Sequence, residues 1–460
     1  MSFDSPLFLL FFLSVFGLLR CLPKFGGIIL LLASVAFYSV AGLLDMGLVI
    51  TVVALNYLLS FLVVRDRCWL WVVMLVNLSI LIFFKYRHFL IPELAAEVSN
   101  FYQGEILIPL GISFYIFQAI AYQVDVAAGR TAHIRSFWHF ALFILLFAQV
   151  IAGPILRANA LEPQVARAFA GRLRGGRRYW SLGLGLCLLG LIKKAGLADS
   201  LAPYVDAVFS LGPADSFTAW IGAVLFGFQI YFDFSGYSDI AVGAGYLLGF
   251  RLPLNFRQPY LARDPREFWQ RWHITLSTWI RDYLYIPLGG GRAGGFWQQS
   301  LVVLLTMGLA GLWHGANWTF IFWGLFWGLY LMVWRLLGAR LRLPGGFIWI
   351  LHLIIVTVLW VFFRANNLEQ SFDFIGVMFG ATGMGNYTVA SDFMEKMLIA
   401  AGVVLLMCSH WMEAWVMEFR RVVGWRRLDG PVVWGLLVGL ILWLVMIPKI
   451  QTNPFIYFRF

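Results

Sequence analysis

His314 lies in GLWHGANWTF, between apolar runs at 301–312 and 318–332. An ionisable group inside such a stretch is costly and marks a functional position. Glycines at 308, 311 and 315 surround it, so neighbouring backbone can approach closely or leave room for a substrate. A second histidine, His273, lies about 40 residues earlier on a polar helix face, and the two could share one cavity. An imidazole can act as a general base when its pKa is near the working pH. A structural histidine bonded to a neighbouring helix, or an interfacial one beside snorkelling arginines, is the alternative for each. Asp233 and Asp239, in YFDFSGYSDI, are the other intramembrane charges, and they read as structural groups paired with arginines such as Arg251 or Arg257.

Other chemistries lack their signatures. The 7 histidines show no HExxH or comparable metal spacing, and the 4 cysteines (Cys21, Cys68, Cys187, Cys408) are scattered, so no metal is expected. There is no P-loop and no GxSxG, and SGYSD has no strand–turn–helix setting for a nucleophile elbow.

The elements that must position these groups follow from period and composition. Residues 251–299 hold arginines at 251, 257, 263, 266, 271, 281 and 292 and no apolar run of spanning length. Asp264 can cap a helix, Pro265 suits its first position and Glu267 completes a capping box. From there to Pro287 the period predicts one amphipathic helix at the membrane interface. Arg266, Gln270, His273, Ser277 and Arg281 form its polar face, and Phe268, Trp269, Trp272, Leu276 and Trp279 its apolar face.

With 61% hydrophobic and 12% charged residues and a mean hydropathy of +0.81, the solvent for most of this chain is lipid. Apolar segments at 6–20, 26–44, 46–64, 68–84, 136–156, 179–197, 217–234, 237–250, 300–314, 318–337, 346–363, 396–417 and 432–448 predict an all-α polytopic bundle. Its expected make-up is about eleven transmembrane helices with re-entrant and interfacial helices. Pro109 and Gly111 break 106–126, which reads as re-entrant. The chain reads as one domain over 1–460: N-terminal helices (1–250), a basic amphipathic segment (251–299), then the His314 helix and C-terminal helices (300–460). The net charge of +11 marks cytoplasmic loops and anionic lipid surfaces, not nucleic acid. The basic connections at 20–24 and 65–67 put the N-terminus outside, and 157–178, with six arginines, reads as cytoplasmic.

FDFSGYSDIAVG (232–243), NFRQPYLARDPREFWQRWHITLSTWIRDYLYIPLGGGR (255–292) and GLWHGANWTFIFWG (311–324) resemble the membrane-bound O-acyltransferases. So do ILIPLGISFYIFQAIAY (106–122), AGPILR (152–157) and NPFIYFRF (453–460), and the resemblance spans nearly the whole chain. It is nearest to the bacterial branch that O-acetylates exopolysaccharides such as alginate or cellulose. The resemblance implies a bundle around a central funnel in the bacterial inner membrane. It implies His314 as the key catalytic histidine and His273 as the branch's second. Acetyl transfer from acetyl-CoA or another cytoplasmic thioester follows, with no bound cofactor, and with Asn317, Trp313, Arg271, Arg281 and Ser277 as donor- or acceptor-site candidates. It also implies periplasmic acetyltransferase partners and a polysaccharide synthesis and secretion complex. D-alanyl transfer to teichoic acid, a proton-coupled transporter and a scaffold for a polymer synthase stand as alternatives.

Overall fold

The computed structural model describes residues 3, 5–91, 108–150, 153–291, 295–338, 343–389, 395–399 and 401–408. The described residues are helical and turn segments, without a named strand. They divide into two compact units, Met1–Cys187 with Tyr237–Leu254, and Leu188–Gly236 with Asn255–Phe460. Among them, 7 helices are long and apolar enough to cross a membrane, or up to 8 if one bent pair is a single span.

In the first unit, α1 (Pro6–Cys21) begins where the Ser5 hydroxyl accepts from the Phe8 N–H and Pro6 takes the first turn. It is bent by 114° from the apolar run that continues as α2 (Gly26–Ser39). Pro23, at the junction, has no N–H to continue the helix. α3 (Leu43–Arg65) and α4 (Leu70–Leu81) are joined by a buried amide pair. Asn56 and Asn77 each donate to the other's side-chain oxygen at 3.0 Å. Such interhelical bonds hold lipid-embedded helices, where apolar surface alone gives no preference for protein over lipid. α5 (Ile112–Ala127) starts after Gly111, whose φ of 70° is left-handed. α6 (Phe137–Leu145) stops at Leu146, so the run expected at 136–156 is too short to span as one helix. α7 (Ala158–Phe169) occupies the first part of the basic connection but holds only Arg167 of its six arginines.

Two helices contribute residues to both units. α8 (Arg177–Leu191) continues through a π-helical turn at Ile192–Ala198 into α9 (Asp199–Leu211), so the span expected at 179–197 reaches Leu211. α10 (Ser216–Leu248) is one helix of 33 residues, where the sequence suggested separate spans at 217–234 and 237–250. Ser235 and Gly236 do not break it. A Cβ on Gly236 would lie 2.8 Å from the Gly190 carbonyl oxygen, so this glycine serves close helix packing.

The second unit holds the candidate chemistry. The amphipathic segment is two helices, α11 (Pro265–Arg271) and α12 (Ile274–Ile280), followed by a π-helical turn at Arg281–Tyr285. Then come α13 (Phe296–His314), α14 (Trp318–Leu337), α15 (Gly345–Arg364) and α16 (Leu368–Met378). The span expected at 432–448 lies outside the described residues, as do residue 400 and residues 409–417, including His410, of the span expected at 396–417.

Candidate active site

α13 and α14 form a tight hairpin, and glycine makes it possible. A Cβ on Gly311 would strike the carbonyl oxygen of Phe320, and one on Gly324 would strike that of Met307. Gly311/Gly315 and Gly324/Gly328 are each spaced four apart, the small-residue pattern that lets membrane helices approach backbone to backbone. α14 restarts on Asn317, whose side-chain oxygen accepts from the Thr319 N–H at 3.0 Å.

His314 is the last residue of α13 and is 3% exposed. Three rings box it: Trp313 at 5.0 Å, Trp323 at 5.0 Å and Phe363 at 5.2 Å between centroids. It also lines a cavity of about 420 Å³, within the roughly 300–1,000 Å³ range of small-molecule sites. One wall of that cavity is a single stripe of α13: Gln299, Val303, Thr306, Met307, Ala310 and His314. At about 1.5 Å of rise per residue the stripe is about 22 Å long. Three arginines, Arg266, Arg281 and Arg335, also line the cavity, and all three are exposed where His314 is buried.

The sequence candidates fall into two groups. His314, Ser277 and Arg281 border the cavity. Ser277 also donates to the Trp272 carbonyl at 3.0 Å. Arg281 bonds Asp282 at 2.7 and 3.2 Å, and that carboxylate raises the guanidinium's pKa further. His273, Trp313, Arg271 and Asn317 are not among the lining residues. Arg271 clasps Glu267 at 2.6 Å. Burial alone would raise the Glu267 carboxyl, but the Arg263 N–H and the Arg271 guanidinium hold it below its usual range. Asn317 uses its amide oxygen as the α14 cap and its amide nitrogen on the Asn366 carbonyl at 2.9 Å.

His273 is fully buried beside Phe234 (4.6 Å) and Trp313 (6.1 Å). Its backbone is left-handed, φ 41° and ψ 55°, which splits the single helix expected here into α11 and α12. Asn255 accounts for the split. Its carbonyl takes the Ile274 N–H at 2.8 Å, and its side-chain oxygen takes the Thr275 N–H at 3.1 Å and hydroxyl at 2.9 Å. The Thr275 N–H can only donate, so the Asn255 atom facing it is the oxygen, and His273 Nδ1, 3.2 Å away, is the donor to it. Burial pushes the ring's pKa down to about 3, so it is uncharged at neutral pH.

Asp233 pairs at 2.6 Å with Lys194, not with an arginine, and Lys194 also meets Asp199 at 2.8 Å. Arg251 and Arg257, the partners expected from sequence, are exposed. Asp239 belongs to the other unit and is half-buried.

Sequence reasoning passed over Thr306, Trp269, Gln299 and Arg335. The signal was present, since Gln299, Thr306 and Ala310 fall on the His314 face of α13 at helical spacing. Among the described residues, the buried Thr306 hydroxyl and the Trp269 indole N–H have no hydrogen-bond partner.

A model of the membrane-bound O-acyltransferase family matches residues 59–369. The chain is 39% identical over 426 residues to the probable alginate O-acetylase AlgI of Azotobacter vinelandii, covering 89% of this chain and 83% of the relative. It is 33% identical over 443 residues to the peptidoglycan O-acetyltransferase of Helicobacter pylori, covering 86% and 83%. A teichoic acid D-alanyltransferase of Streptococcus thermophilus is 28% identical over 242 residues, covering 49% and 56%. With a matching family model over more than half its length and such relatives across most of it, this multi-pass membrane protein is an O-acyltransferase and belongs to the membrane-bound O-acyltransferase family.

Proposed function

We propose that the protein moves acetyl groups from a cytoplasmic thioester, acetyl-CoA, across the bacterial inner membrane for O-acetylation of an exopolysaccharide, with His314 as general base. The observation that carries the reading is the position of His314. Among the described residues it is the one histidine bordering the cavity, buried at the end of α13, while exposed arginines border the same cavity.

In this reading His314 takes the proton of the acceptor hydroxyl as the oxygen attacks the thioester carbonyl. The new C–O bond forms, the C–S bond breaks, and the proton returns to the departing thiolate. The C-terminal end of α13 favours the positive charge that passes through the imidazole. A positioned base of this kind contributes about 10²–10⁴-fold. His273 is held neutral and away from the cavity lining, so it supports Trp313, which packs on His314, and is a positioning residue. Periplasmic acetyltransferases would carry the group on to the polymer, beside its synthesis and secretion complex, and anionic lipid would meet the basic loops.

The two long O-acetyltransferase likenesses support acetyl as the group moved. The peptidoglycan relative makes cell wall the second-ranked acceptor. The D-alanyl reading rests on a likeness over about half the chain and ranks below both. Ester-linked acyl groups released by mild alkali from secreted polysaccharide and from cell wall decide among these. Cells with His314→Ala at wild-type abundance in the membrane should lose ester-linked acetate by about 10²-fold or more, and the fraction that loses it identifies the acceptor. Loss of D-alanine instead would move the assignment to teichoic acid. Unchanged esters would overturn the role of His314.

A further inference from the structure

A second cavity, of about 530 Å³, lies in the first unit and has no part in the acyl-transfer reading. The connection between α5 and α6 lines it with Arg130, His133 and Arg135, and the start of α7 with Ala158, Asn159 and Glu162. Its level in the membrane follows from what holds that connection. His133 Nε2 meets the Ser60 hydroxyl at 2.8 Å, and the Tyr57 hydroxyl donates to the Arg135 carbonyl, so the cavity lies beside the C-terminal part of α3. Arg65 ends that helix and Arg67 follows it, while Trp69, Trp71 and Trp138 are exposed. Arginines and exposed indoles together mark the headgroup layer on the cytoplasmic side.

The cavity holds charges of both signs, and they are poorly matched to one another. Arg130 is committed to Asp125 at 3.2 Å. Arg135 is exposed, and among the described residues no carboxylate pairs with it. Glu162 is partly buried, and its one ion contact among them is His139 Nδ1 at 3.6 Å, too long for a hydrogen bond. His133 adds no charge at neutral pH, since burial and then Arg135 lower its pKa below 6.5. A lone phosphate in this cavity would face Glu162, and a lone amine would face Arg135. A ligand that carries both charges a short way apart satisfies both groups.

The spacing says which zwitterion. No side chain caps α7, whose first residues Ala158 and Asn159 border the cavity, so negative charge is favoured at that end. Glu162 follows Ala158 by four residues, about 6 Å along the axis. In phosphoethanolamine, phosphorus and ammonium nitrogen are joined through one oxygen and two carbons, about 4–5 Å apart. An ammonium brings three donors to a carboxylate that lacks a hydrogen bond. The phosphate oxygens accept from the Arg135 guanidinium. We propose that this cavity binds the phosphoethanolamine headgroup of a membrane phospholipid, with the phosphate toward Arg135 and the start of α7 and the ammonium on Glu162. The headgroup level of the cavity makes lipid the source.

The test places the purified full-length protein in phosphatidylcholine nanodiscs doped with phosphatidylethanolamine or phosphatidylglycerol, and reads the lipid retained by native mass spectrometry. Phosphatidylcholine has both charges but no N–H for Glu162, and phosphatidylglycerol has the phosphate alone. Phosphatidylethanolamine should be retained about tenfold over either. Glu162→Gln should abolish that preference, and Arg135→Gln should lower phosphatidylethanolamine retention about tenfold. Both variants should keep the wild-type unfolding temperature in pure phosphatidylcholine, because neither side chain is fully buried. Equal retention of the three lipids, a preference for phosphatidylglycerol, or a preference that survives Glu162→Gln would overturn the site. Displacement of the lipid by an equal concentration of soluble glycerophosphoethanolamine would overturn the assignment to a membrane lipid.

Discussion

Gly311→Ala tests how the hairpin holds His314, the proposed base. A Cβ there would run into the Phe320 carbonyl oxygen and lie 3.2 Å from the Cα of Gly324. Both obstacles are backbone, so no rotamer change relieves them and the helices must separate. Gly308, about one turn earlier, is the internal control. Its Cβ would meet only side-chain carbons of Leu325, at 3.2 and 3.7 Å, which can swing aside. Carbon contacts settle at about 3.5–4.0 Å, so relief at Gly311 requires a shift of about 1 Å or more. Overpacking of this kind costs about 1–3 kcal/mol, which a membrane bundle can survive. The site is less tolerant. His314 is on the next turn of the same helix, and a misplacement of about 1 Å in a catalytic group costs about 10²-fold. Gly311→Ala should therefore insert at near-normal abundance and lose about two orders of magnitude in acetyl transfer, whereas Gly308→Ala keeps most of it. The assay is ester-linked acetate normalised to membrane protein, with thermal unfolding of both variants in parallel. Wild-type acetate from Gly311→Ala, or equal loss from the two glycines, would refute the argument.

Two further outcomes follow from the buried ionisable groups. Lys194→Met removes the cation that Asp233 and Asp199 contact at 2.6 and 2.8 Å. It should cost about 3–5 kcal/mol, read as a lower unfolding temperature, and adding Asp233→Asn should recover part of the loss; a double variant no better than the single would sink the pairing argument. His273 titrates near 6.5 when unfolded and at about 3 when folded. Its folded pKa is depressed, so the stability gained by keeping it neutral is complete above about pH 6.5 and lost as pH falls toward 3. His273→Gln should flatten the fall of unfolding temperature across that window, and an unaltered slope would show that other groups cause it.

The elements carrying the chemistry were legible where local rules are strong. Asp264 and Pro265 cap α11 as read, with the Asp264 side chain accepting from the Arg266 and Glu267 N–H groups at 2.8 and 2.9 Å. α14 occupies the residues its hydropathy marks, and α15 differs from its expected bounds by one residue at each end. Misreadings arose where a distant partner decides the backbone. Periodicity runs unbroken through Trp272–His273, but Asn255 captures the N–H of Ile274 and Thr275 and the helix splits. Ser235–Gly236 looks like a break until the Gly190 carbonyl shows that close packing is what the glycine provides. Asp233 finds Lys194 because the π-helical turn at Ile192–Ala198 brings that lysine inward, which no local pattern announces. Thr306 was missed for another reason: a threonine in an apolar helix is ordinary unless its hydroxyl is found without a bond.

The two histidines show why residue type alone could not assign roles. Both are buried, both touch Trp313, and both sit at a helix end, His314 closing α13 and His273 opening α12. They differ in what their rings face. A general base must reach the reacting proton within about 3 Å or through one water, and among the two only His314 borders the cavity. His273 spends Nδ1 on Asn255, an oxygen that also holds Thr275, so its ring is fixed by the bonds that fix the α11–α12 break. Moving it would disturb Trp313 and, through it, the wall behind His314. A substitution at His273 should then lower the rate of transfer while leaving its pH dependence in place, whereas loss of His314, the proposed base, should remove the transfer. A shifted acid limb in His273→Gln, measured on acetyl transfer, would instead make His273 a second titrating participant and reverse this division of roles.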